Sequence, residues 1–363
     1  MKQTIQAIKD LMVSIGRPVK LMEVCGTHTV AIFRHGIRDL LPKEIRLLSG
    51  PGCPVCVTSI RDVDAVIEIS RQHDAIVATF GDMMRVPGSR QTLSQAKADG
   101  GDIRIVYSPL DALTLAEQHP DSTVVFFATG FETTSPLVAG TLAEAESKGV
   151  RNFFIYSVHK TVPPALNALL SAPEVQIDGF ILPGHVSTVI GMKPYAFLAE
   201  YHKPSVVTGF DAADILNGVL MLLRQIDENR AVVENEYAKV VREEGNPRAV
   251  SLLYEFFEPE DAYWRGIGLL PGSGLRLKEK YSHRDIMKKY TITVPDGQEP
   301  KACSCGDVLK GVKIPTDCAL FGKTCTPDKP VGACMVSTEG SCAAYYKYAG
   351  AAILATPDQR KKG

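Results

Sequence analysis

Seven short apolar runs alternate with helix-period sequence between residues 19 and 210. They read VKLMEV, DAIVATF, IRIVY, TVVFFAT, NFFIYSV, IDGFILP and SVVTGF. Apolar runs of strand length that are separated by roughly ten to twenty residues of helical pattern are typical of parallel βαβ units. The sequence therefore predicts an α/β fold, with polar loops gathered beyond the carboxyl ends of the strands.

Two of those loops are similar to one another, which indicates an internal duplication. TGFETT at 129–134 and TGFDAAD at 208–214 each follow an apolar run. We therefore expect two Rossmann-like parallel-sheet domains, over residues 17–118 and 119–228. The Gly/Pro-rich segment GIGLLPGSG at 266–274 predicts a hinge or an interdomain crossover. We expect residues 1–16 and 229–363 to form helices and a cysteine-rich iron–sulfur domain.

Composition and charge exclude several classes of function. The chain is 45% hydrophobic and 22% charged, with a formal net charge of −1, so it has no basic excess for nucleic acid or an anionic membrane. No apolar run approaches the ~18 residues of a membrane span, and Lys2, Lys9 and Asp10 interrupt the apolar pattern at the amino terminus. We expect a cytoplasmic protein that binds neither nucleic acid nor a membrane.

Six of the nine cysteines crowd the carboxyl-terminal part of the chain: Cys303, Cys305, Cys318, Cys325, Cys334 and Cys342. In a reducing compartment such thiols ligate metal or do redox work more often than they form a disulfide framework. Four thiolates can hold an iron–sulfur cluster, whereas zinc sites typically use paired C-x2-4-C knuckles, which this segment lacks. The sequence favours a 4Fe-4S cluster over zinc or merely buried thiols.

Six cysteines exceed the four that a cubane cluster needs. If residues 303–305 are extended, the side chains of Cys303 and Cys305 lie on the same face of the strand. One of these thiols could then ligate iron while the other forms a disulfide with a different cysteine. We assign Cys303, Cys318, Cys325 and Cys342 as ligands and Cys305 with Cys334 as a redox pair. The spacing equally permits a second ligand set, in which Cys334 replaces Cys303.

The other three cysteines lie near the amino terminus, in CGTHT at 25–29 and GPGCPVCVT at 50–58. Cys25 follows a strand and precedes His28, which could ligate a metal or shuttle protons. Cys53 and Cys56 form a C-x-x-C pair, and Pro54 suits the first turn of a helix through residues 57–72, whose dipole would activate Cys53. A redox dithiol is favoured over an inert turn or structural clip, and a Cys3His zinc site stays open.

Several of these motifs together resemble those of the HypD family of hydrogenase-maturation proteins. The resemblance rests on CGTHT, GPGCPVCVT, GFETT, PGHVSTVIG and the carboxyl-terminal run from CSCG to CAAYYKY, and it extends from about residue 20 to about 350. Several of these motifs are long and centred on cysteine.

The resemblance implies a scaffold on which the iron fragment of nickel–iron hydrogenases acquires two cyanides and one carbon monoxide. It implies a HypC-type small chaperone and a HypE-type cyanide donor as partners, with Cys25 holding iron transiently together with a thiolate of the chaperone. Cys53 and Cys56 would form a redox dithiol, and a disulfide would lie beside the 4Fe-4S cluster. Such a fragment also needs hydrogen bonds to its cyanide nitrogens, which the loops around Asp82, Glu132 and His185 would supply. For each of these three residues, a cap or turn contact in an α/β loop is the alternative.

Two other functions remain open from the sequence. An iron–sulfur thiol/disulfide oxidoreductase resembling ferredoxin:thioredoxin reductase would use the cluster and both cysteine pairs, but it leaves Cys25 without a role. A zinc-stabilised binding module would contain zinc and no inorganic sulfide.

Overall fold

A computed structural model describes residues 1–294 and 297–348. It contains eleven strands: β1 (Val19–Glu23), β2 (Ile45–Ser49), β3 (Ala75–Thr79), β4 (Asp102–Ile105), β5 (Thr123–Ala128), β6 (Phe153–Ser157), β7 (Gly179–Pro183), β8 (Ser205–Thr208), β9 (Val233–Asn235), β10 (Phe257–Trp264) and β11 (Gly268–Leu277), counted over the described residues.

The helices of the same residues are α1 (Lys2–Ile15), α2 (Gly26–Arg34), α3 (Ile37–Leu40), α4 (Pro54–Val57), α5 (Ile60–Ile69), α6 (Leu93–Ala98), α7 (Pro109–Gln118), α8 (Ser135–Lys148), α9 (Val162–Leu170), α10 (Gly184–Ile190), α11 (Phe197–Glu200), α12 (Ala212–Asp227), α13 (Pro247–Phe256), α14 (Ile286–Lys289), α15 (Cys305–Leu309) and α16 (Ser341–Tyr348). Short 3-10 helices span Gly81–Arg85, Lys193–Tyr195, Glu279–Arg284, Pro315–Asp317 and Ala333–Met335. Within the described part of the chain, no helix has both the length and the apolar character that a membrane crossing needs.

The chain divides into two compact units. Of the described residues, the first contains Met1–Cys53, Ala165–Asn246 and 302–348, and the second contains Pro54–Pro164 and those within Pro247–Lys301. This division differs from the contiguous ranges 17–118 and 119–228 expected from the sequence, because the chain leaves the first sheet at Pro54 and returns to it later. The expected third domain extends to residue 363, and its residues 349–363 lie outside the described ranges.

The first unit is built on a five-stranded parallel sheet in the order β2-β1-β7-β8-β9. One face of this sheet packs on α1 and α12, and their apolar side chains form a core that includes Ile8, Leu21, Ile181, Val206 and Leu222. Burying each such side chain contributes roughly 1.5–3 kcal/mol. The core fixes the strands, so the loops that follow β1, β7 and β8 start from one rigid edge.

The second unit contains a four-stranded parallel sheet in the order β4-β3-β5-β6 and an antiparallel hairpin of β10 and β11. Its core joins Phe126 and Phe153 of the sheet to Leu142 of α8 and to Phe257 of the hairpin. The segment GIGLLPGSG, predicted to be a hinge, is instead mostly strand β11, because its backbone pairs along β10.

The predicted α/β class with two parallel sheets is confirmed. All seven apolar runs form strands, namely β1 and β3 to β8. Strands β2 and β9 were not predicted. The cysteine-rich residues from Ala302 group with the first unit.

Candidate functional site

Cys25 lies at the junction between β1 and α2 in the first unit, where it is the residue that precedes the helix. The backbone N–H groups of Thr27 and His28 point to its sulfur. These N–H groups carry the partial positive charge of a helix start and favour a thiolate or an anionic ligand there. Burial acts more strongly in the opposite direction and raises the pKa of Cys25 to about 12, so the thiol keeps its proton at neutral pH.

A glycine loop packs directly on the backbone of Cys25. Gly26 N donates to Gly52 O across 2.9 Å, and Gly50 N donates to Glu23 O across 2.7 Å. A Cβ on Gly52 would lie 2.3 Å from Cys25 N, which is too close for any side chain. The glycines of GPGC therefore allow this loop to approach the cysteine at backbone distance.

Glu23 is a buried carboxyl, 1% exposed, that holds the same junction. One of its oxygens accepts a hydrogen bond from Cys25 N at 3.0 Å, and the other accepts a short one from Thr29 Oγ1. Burial raises the pKa of Glu23 to about 7, against the hydrogen bonds that lower it. Glu23 was not predicted as a site residue, although its position two residues before Cys25 was a signal.

Glu339 brings a second carboxyl to Cys25 from the carboxyl-terminal segment. Thr27 Oγ1 donates to its Oε1 across 2.8 Å, and a Cβ on Gly26 would lie 2.5 Å from Glu339 Cβ. Its charge also contributes to the raised pKa of Cys25. Sequence reasoning missed this residue too, although it lies in the EGSC segment that carries the family resemblance.

His28 is fully buried and makes hydrogen bonds through one ring nitrogen. Its Nε2 lies 2.9 Å from both Gly209 O and Thr208 Oγ1. A carbonyl oxygen can only accept, so Nε2 carries the proton and Nδ1 is an acceptor. Nδ1 is buried and has no partner among the described residues. Burial lowers the pKa of His28 to about 4, so the ring is neutral at physiological pH.

An aromatic stack joins His28 to His185 at the carboxyl edge of the first sheet. Phe210 stacks on His28 with ring centroids 4.5 Å apart and on His185 with centroids 4.0 Å apart. Partial burial lowers the pKa of His185. The structure thus brings three predicted residues, Cys25, His28 and His185, into one region of the first unit.

Asp82 and Glu132 lie in the second unit. Asp82 is on the 3-10 helix at 81–85 and is partly exposed. Glu132 is buried after β5, where its Oε1 accepts from Val162 N across 2.9 Å. Burial raises the pKa of Glu132 to about 7.

The CPVC loop spans the boundary of the two units, between Cys53 and Pro54. Both cysteines are buried. The prediction of a single helix through residues 57–72 is wrong, because α4 ends at Val57 and a second helix, α5, follows it. Ser59 is the N-cap of α5, and its hydroxyl accepts a hydrogen bond from Asp62 N at 3.1 Å. Thr58 lies between the two helices, and its N–H and hydroxyl both donate to Pro54 O, which closes the turn of α4.

Among the carboxyl-terminal cysteines, Cys303 and Cys305 are neighbours through space. A Cβ on Gly332 would lie 2.7 Å from the first sulfur and 2.5 Å from the second. The expected extended conformation is wrong, because Ser304 has φ −99° and ψ 19° and Cys305 begins α15. A hydrogen bond with the Cys305 thiol and burial raise the pKa of Cys342. The nearby Cys334 raises this pKa further through electrostatic repulsion.

The two remaining cysteines of this group differ in their surroundings. Cys325 is buried, and its sulfur accepts from Val331 N at 3.3 Å. Burial and the nearby Cys303 and Cys305 raise its pKa. Cys318 is less buried and its sulfur lies 4.0 Å from Ala302 O.

These thiols fit an iron–sulfur cluster by donor chemistry, since thiolates are its protein ligands and an N–H···S bond of the Cys325 kind tunes them. Each cysteine of such a cluster binds its own iron, so the sulfurs need not converge on one point. Across the described residues, no three His, Cys, Asp or Glu side chains are placed to hold a single metal ion.

Comparison with known proteins gives a consistent result. The HypD profile, described as the hydrogenase formation hypA family, matches residues 1–349. The chain is 48% identical over 340 residues to the hydrogenase maturation factor HypD of Azotobacter vinelandii, covering 92% of this chain and 90% of that protein. It is 49% identical over 341 residues to the hydrogenase maturation factor HypD of Rhodobacter capsulatus, with the same coverages.

A third relative is slightly less similar in sequence. The putative hydrogenase expression/formation protein of Methanocaldococcus jannaschii is 44% identical over 348 residues, which is 96% of each chain.

Proposed function

The chain belongs to the HypD family and acts in hydrogenase maturation, and we propose that it is the scaffold on which the Fe(CN)2CO fragment of nickel–iron hydrogenases is assembled. In this proposal, iron is the cargo and Cys25 is its ligand from this chain. A HypC-type chaperone supplies a second thiolate, and a HypE-type protein delivers cyanide.

The surroundings of Cys25 are the observation that carries the proposal. A thiol with a pKa of about 12 is a poor nucleophile at neutral pH, which argues against a role in thiol/disulfide exchange. A soft metal ion that displaces the proton removes the cost of burying a bare thiolate, and the N–H groups of Thr27 and His28 then stabilise the bound sulfur. Burial therefore argues against redox chemistry at Cys25, whereas a bound metal ion would supply the positive charge that a buried thiolate needs.

Polar groups around Cys25 suit an iron fragment with cyanide ligands. A protonated Glu23 and the ring N–H of His185 can donate hydrogen bonds, whereas the unpartnered Nδ1 of His28 can only accept one. Cyanide nitrogens accept hydrogen bonds, so donors of this kind orient them. The same role for Asp82 and Glu132 stays a prediction.

The carboxyl-terminal cysteines would hold a 4Fe-4S cluster through Cys303, Cys318, Cys325 and Cys342, with Cys305 and Cys334 as a redox pair. Such a cluster supplies or accepts single electrons. Cys325 and Cys342 are buried, which limits the access of water to their sulfurs. The N–H of Val331 donates to the Cys325 sulfur and would stabilise it as a thiolate. Cys53 and Cys56 would be the dithiol whose redox state controls the supply of electrons to the iron.

The test is an infrared spectrum of the anaerobically purified protein, co-expressed with its small partner, in the carbonyl and cyanide stretching region. We expect bands that disappear in Cys25→Ala while the visible absorption of the cluster stays. Gly140→Ala, at a partly buried position of α8 in the second unit where a Cβ fits, is the control and keeps the bands.

Bands that persist in Cys25→Ala contradict the assignment of the iron ligand. A silent wild-type spectrum, from protein with a full cluster and a bound partner, contradicts the scaffold. It would favour the thiol/disulfide oxidoreductase, which catalytic reduction of a disulfide by a soluble electron donor would then demonstrate.

A further inference from the structure

We propose that a positively charged cavity in the first unit, separate from Cys25, binds a phosphate-bearing small molecule. The cavity measures about 430 Å³, which is within the range of small-molecule sites. Four basic side chains line it: Lys20, Arg38, Arg46 and Lys313. Asp317 is the one acidic side chain among the described residues of its lining, so the cavity has an excess of positive charge.

Two of these cations oppose each other in the sheet. Lys20 on β1 and Arg46 on β2 are register partners, so their side chains leave the same face of the sheet side by side. Like charges directly opposite in paired strands destabilise a sheet. Lys20 Nζ donates to the neutral Gln176 across 3.3 Å, and in the described part of the chain neither cation has a carboxylate at ion-pair distance. Arg46 is exposed and Lys20 partly buried, so solvent screens part of this repulsion, and a bound anion would neutralise both charges at once.

Arg38 adds a cation that is already held in place. Its guanidinium lies 4.8 Å from the ring of Phe33 and 5.1 Å from that of Tyr345, and Nη1 donates to Leu47 O across 2.8 Å. The Nε atom is buried and has no partner among the described residues. A fixed guanidinium with donors to spare loses little entropy when it binds an oxyanion.

The fourth cation, Lys313, comes from the segment that follows α15. Its Nζ pairs with Asp307 at 2.7 Å, so it lines the cavity as a partly neutralised charge. A fork of guanidinium donors with several ammonium groups suits the oxygens of a phosphate. Inorganic pyrophosphate and a nucleotide share that chemistry and are the two sources to distinguish.

The test measures binding of pyrophosphate, AMP and citrate to the full-length, anaerobically purified protein by calorimetry. We expect wild type to bind a phosphate compound, and Arg46→Gln to bind it about tenfold more weakly, since one charge-assisted contact is lost. The control is Lys9→Gln, which removes an exposed cation of α1 in the same unit and leaves the affinity unchanged. Tighter binding of AMP than of pyrophosphate identifies a nucleotide, and the reverse identifies inorganic pyrophosphate.

A thermal melt without ligand separates lost binding from lost folding. Because Arg46→Gln relieves the repulsion with Lys20, it should melt at the same temperature as wild type or higher. No binding of either phosphate compound to wild type, an equal affinity in Arg46→Gln, or a preference for citrate would each overturn the proposal.

Discussion

The backbone N–H of Cys25 donates to the carboxylate of Glu23 across 3.0 Å. The same carboxyl accepts from the hydroxyl of Thr29 in the second turn of α2, and the carbonyl of Glu23 accepts from Gly50 N. One buried residue thus joins the end of β1, the start of α2 and the glycine loop. The position of the Cys25 sulfur depends on these three connections.

Removing the Glu23 carboxyl should destabilise the protein and displace Cys25. We expect Glu23→Ala to lower the free energy of unfolding by about 3 kcal/mol, because buried donors of Cys25 and Thr29 lose their acceptor. Glu23→Gln keeps an amide oxygen as an acceptor and should cost about 1 kcal/mol. Urea unfolding of both variants measures the difference. Equal stability of the two would show that the hydrogen bonds of Glu23 do not hold this junction.

A side chain at Gly52 should force the glycine loop away from Cys25. The Cβ of an alanine would lie 2.3 Å from Cys25 N, so the backbone must move. We expect Gly52→Ala to lose stability by about 2 kcal/mol, as overpacked sites do, together with the infrared bands of the iron fragment. Gly140→Ala is the control, since its Cβ meets only Leu252 at 3.6 Å and alanine favours a helix. A folded Gly52→Ala protein with a normal spectrum would contradict the prediction.

Single cysteine substitutions decide between the two ligand sets for the cluster. If Cys303 is a ligand and Cys334 belongs to the redox pair, Cys303→Ser loses iron, sulfide and visible absorption, whereas Cys334→Ser keeps them. The second set, in which Cys334 replaces Cys303, reverses the two results. Cys318→Ser should lose the cluster in either case, because both sets contain Cys318. Iron and sulfide analysis of the three anaerobically purified variants is the measurement.

Glu132 should make the stability of the protein depend on pH. Its folded pKa of about 7 lies above the usual 4.5, so between these values the folded state holds a proton that the unfolded chain has released. The free energy of unfolding therefore falls as pH rises from about 4.5 to 7 and is constant above, with an upper limit of about 3 kcal/mol.

Comparing wild type with Glu132→Gln isolates this contribution, because Glu23 also has a raised pKa. The variant keeps an oxygen for Val162 N and should lose less stability than wild type over that pH range. Glu117→Gln, which changes an exposed carboxylate of α7, is the control. Parallel pH profiles for wild type and Glu132→Gln would show that Glu132 does not titrate in this window.

Local pattern was sufficient to predict the fold class. Runs such as DAIVATF and TVVFFAT are apolar throughout because strands of a parallel sheet are covered on both faces. That property is visible in a few consecutive residues. Strand β2 was missed because IRLLS is short and contains a charge, and β9 because VEN has little strand character. Both form by pairing with a stronger neighbour, a contact that the local sequence does not contain.

The sequence by itself also singled out the cysteines and His28. Thiols and imidazoles in glycine-rich loops indicate metal binding or redox chemistry by their residue type, without knowledge of their neighbours in space. Only the tertiary structure decided which strands share a sheet, and therefore that Cys25 and the carboxyl-terminal cysteines belong to one unit. It also decided the roles of Glu23 and Glu339. A carboxylate in a sequence is ordinarily a solvated surface group, and its pKa and its partners change only when distant segments bury it beside the groups that it binds.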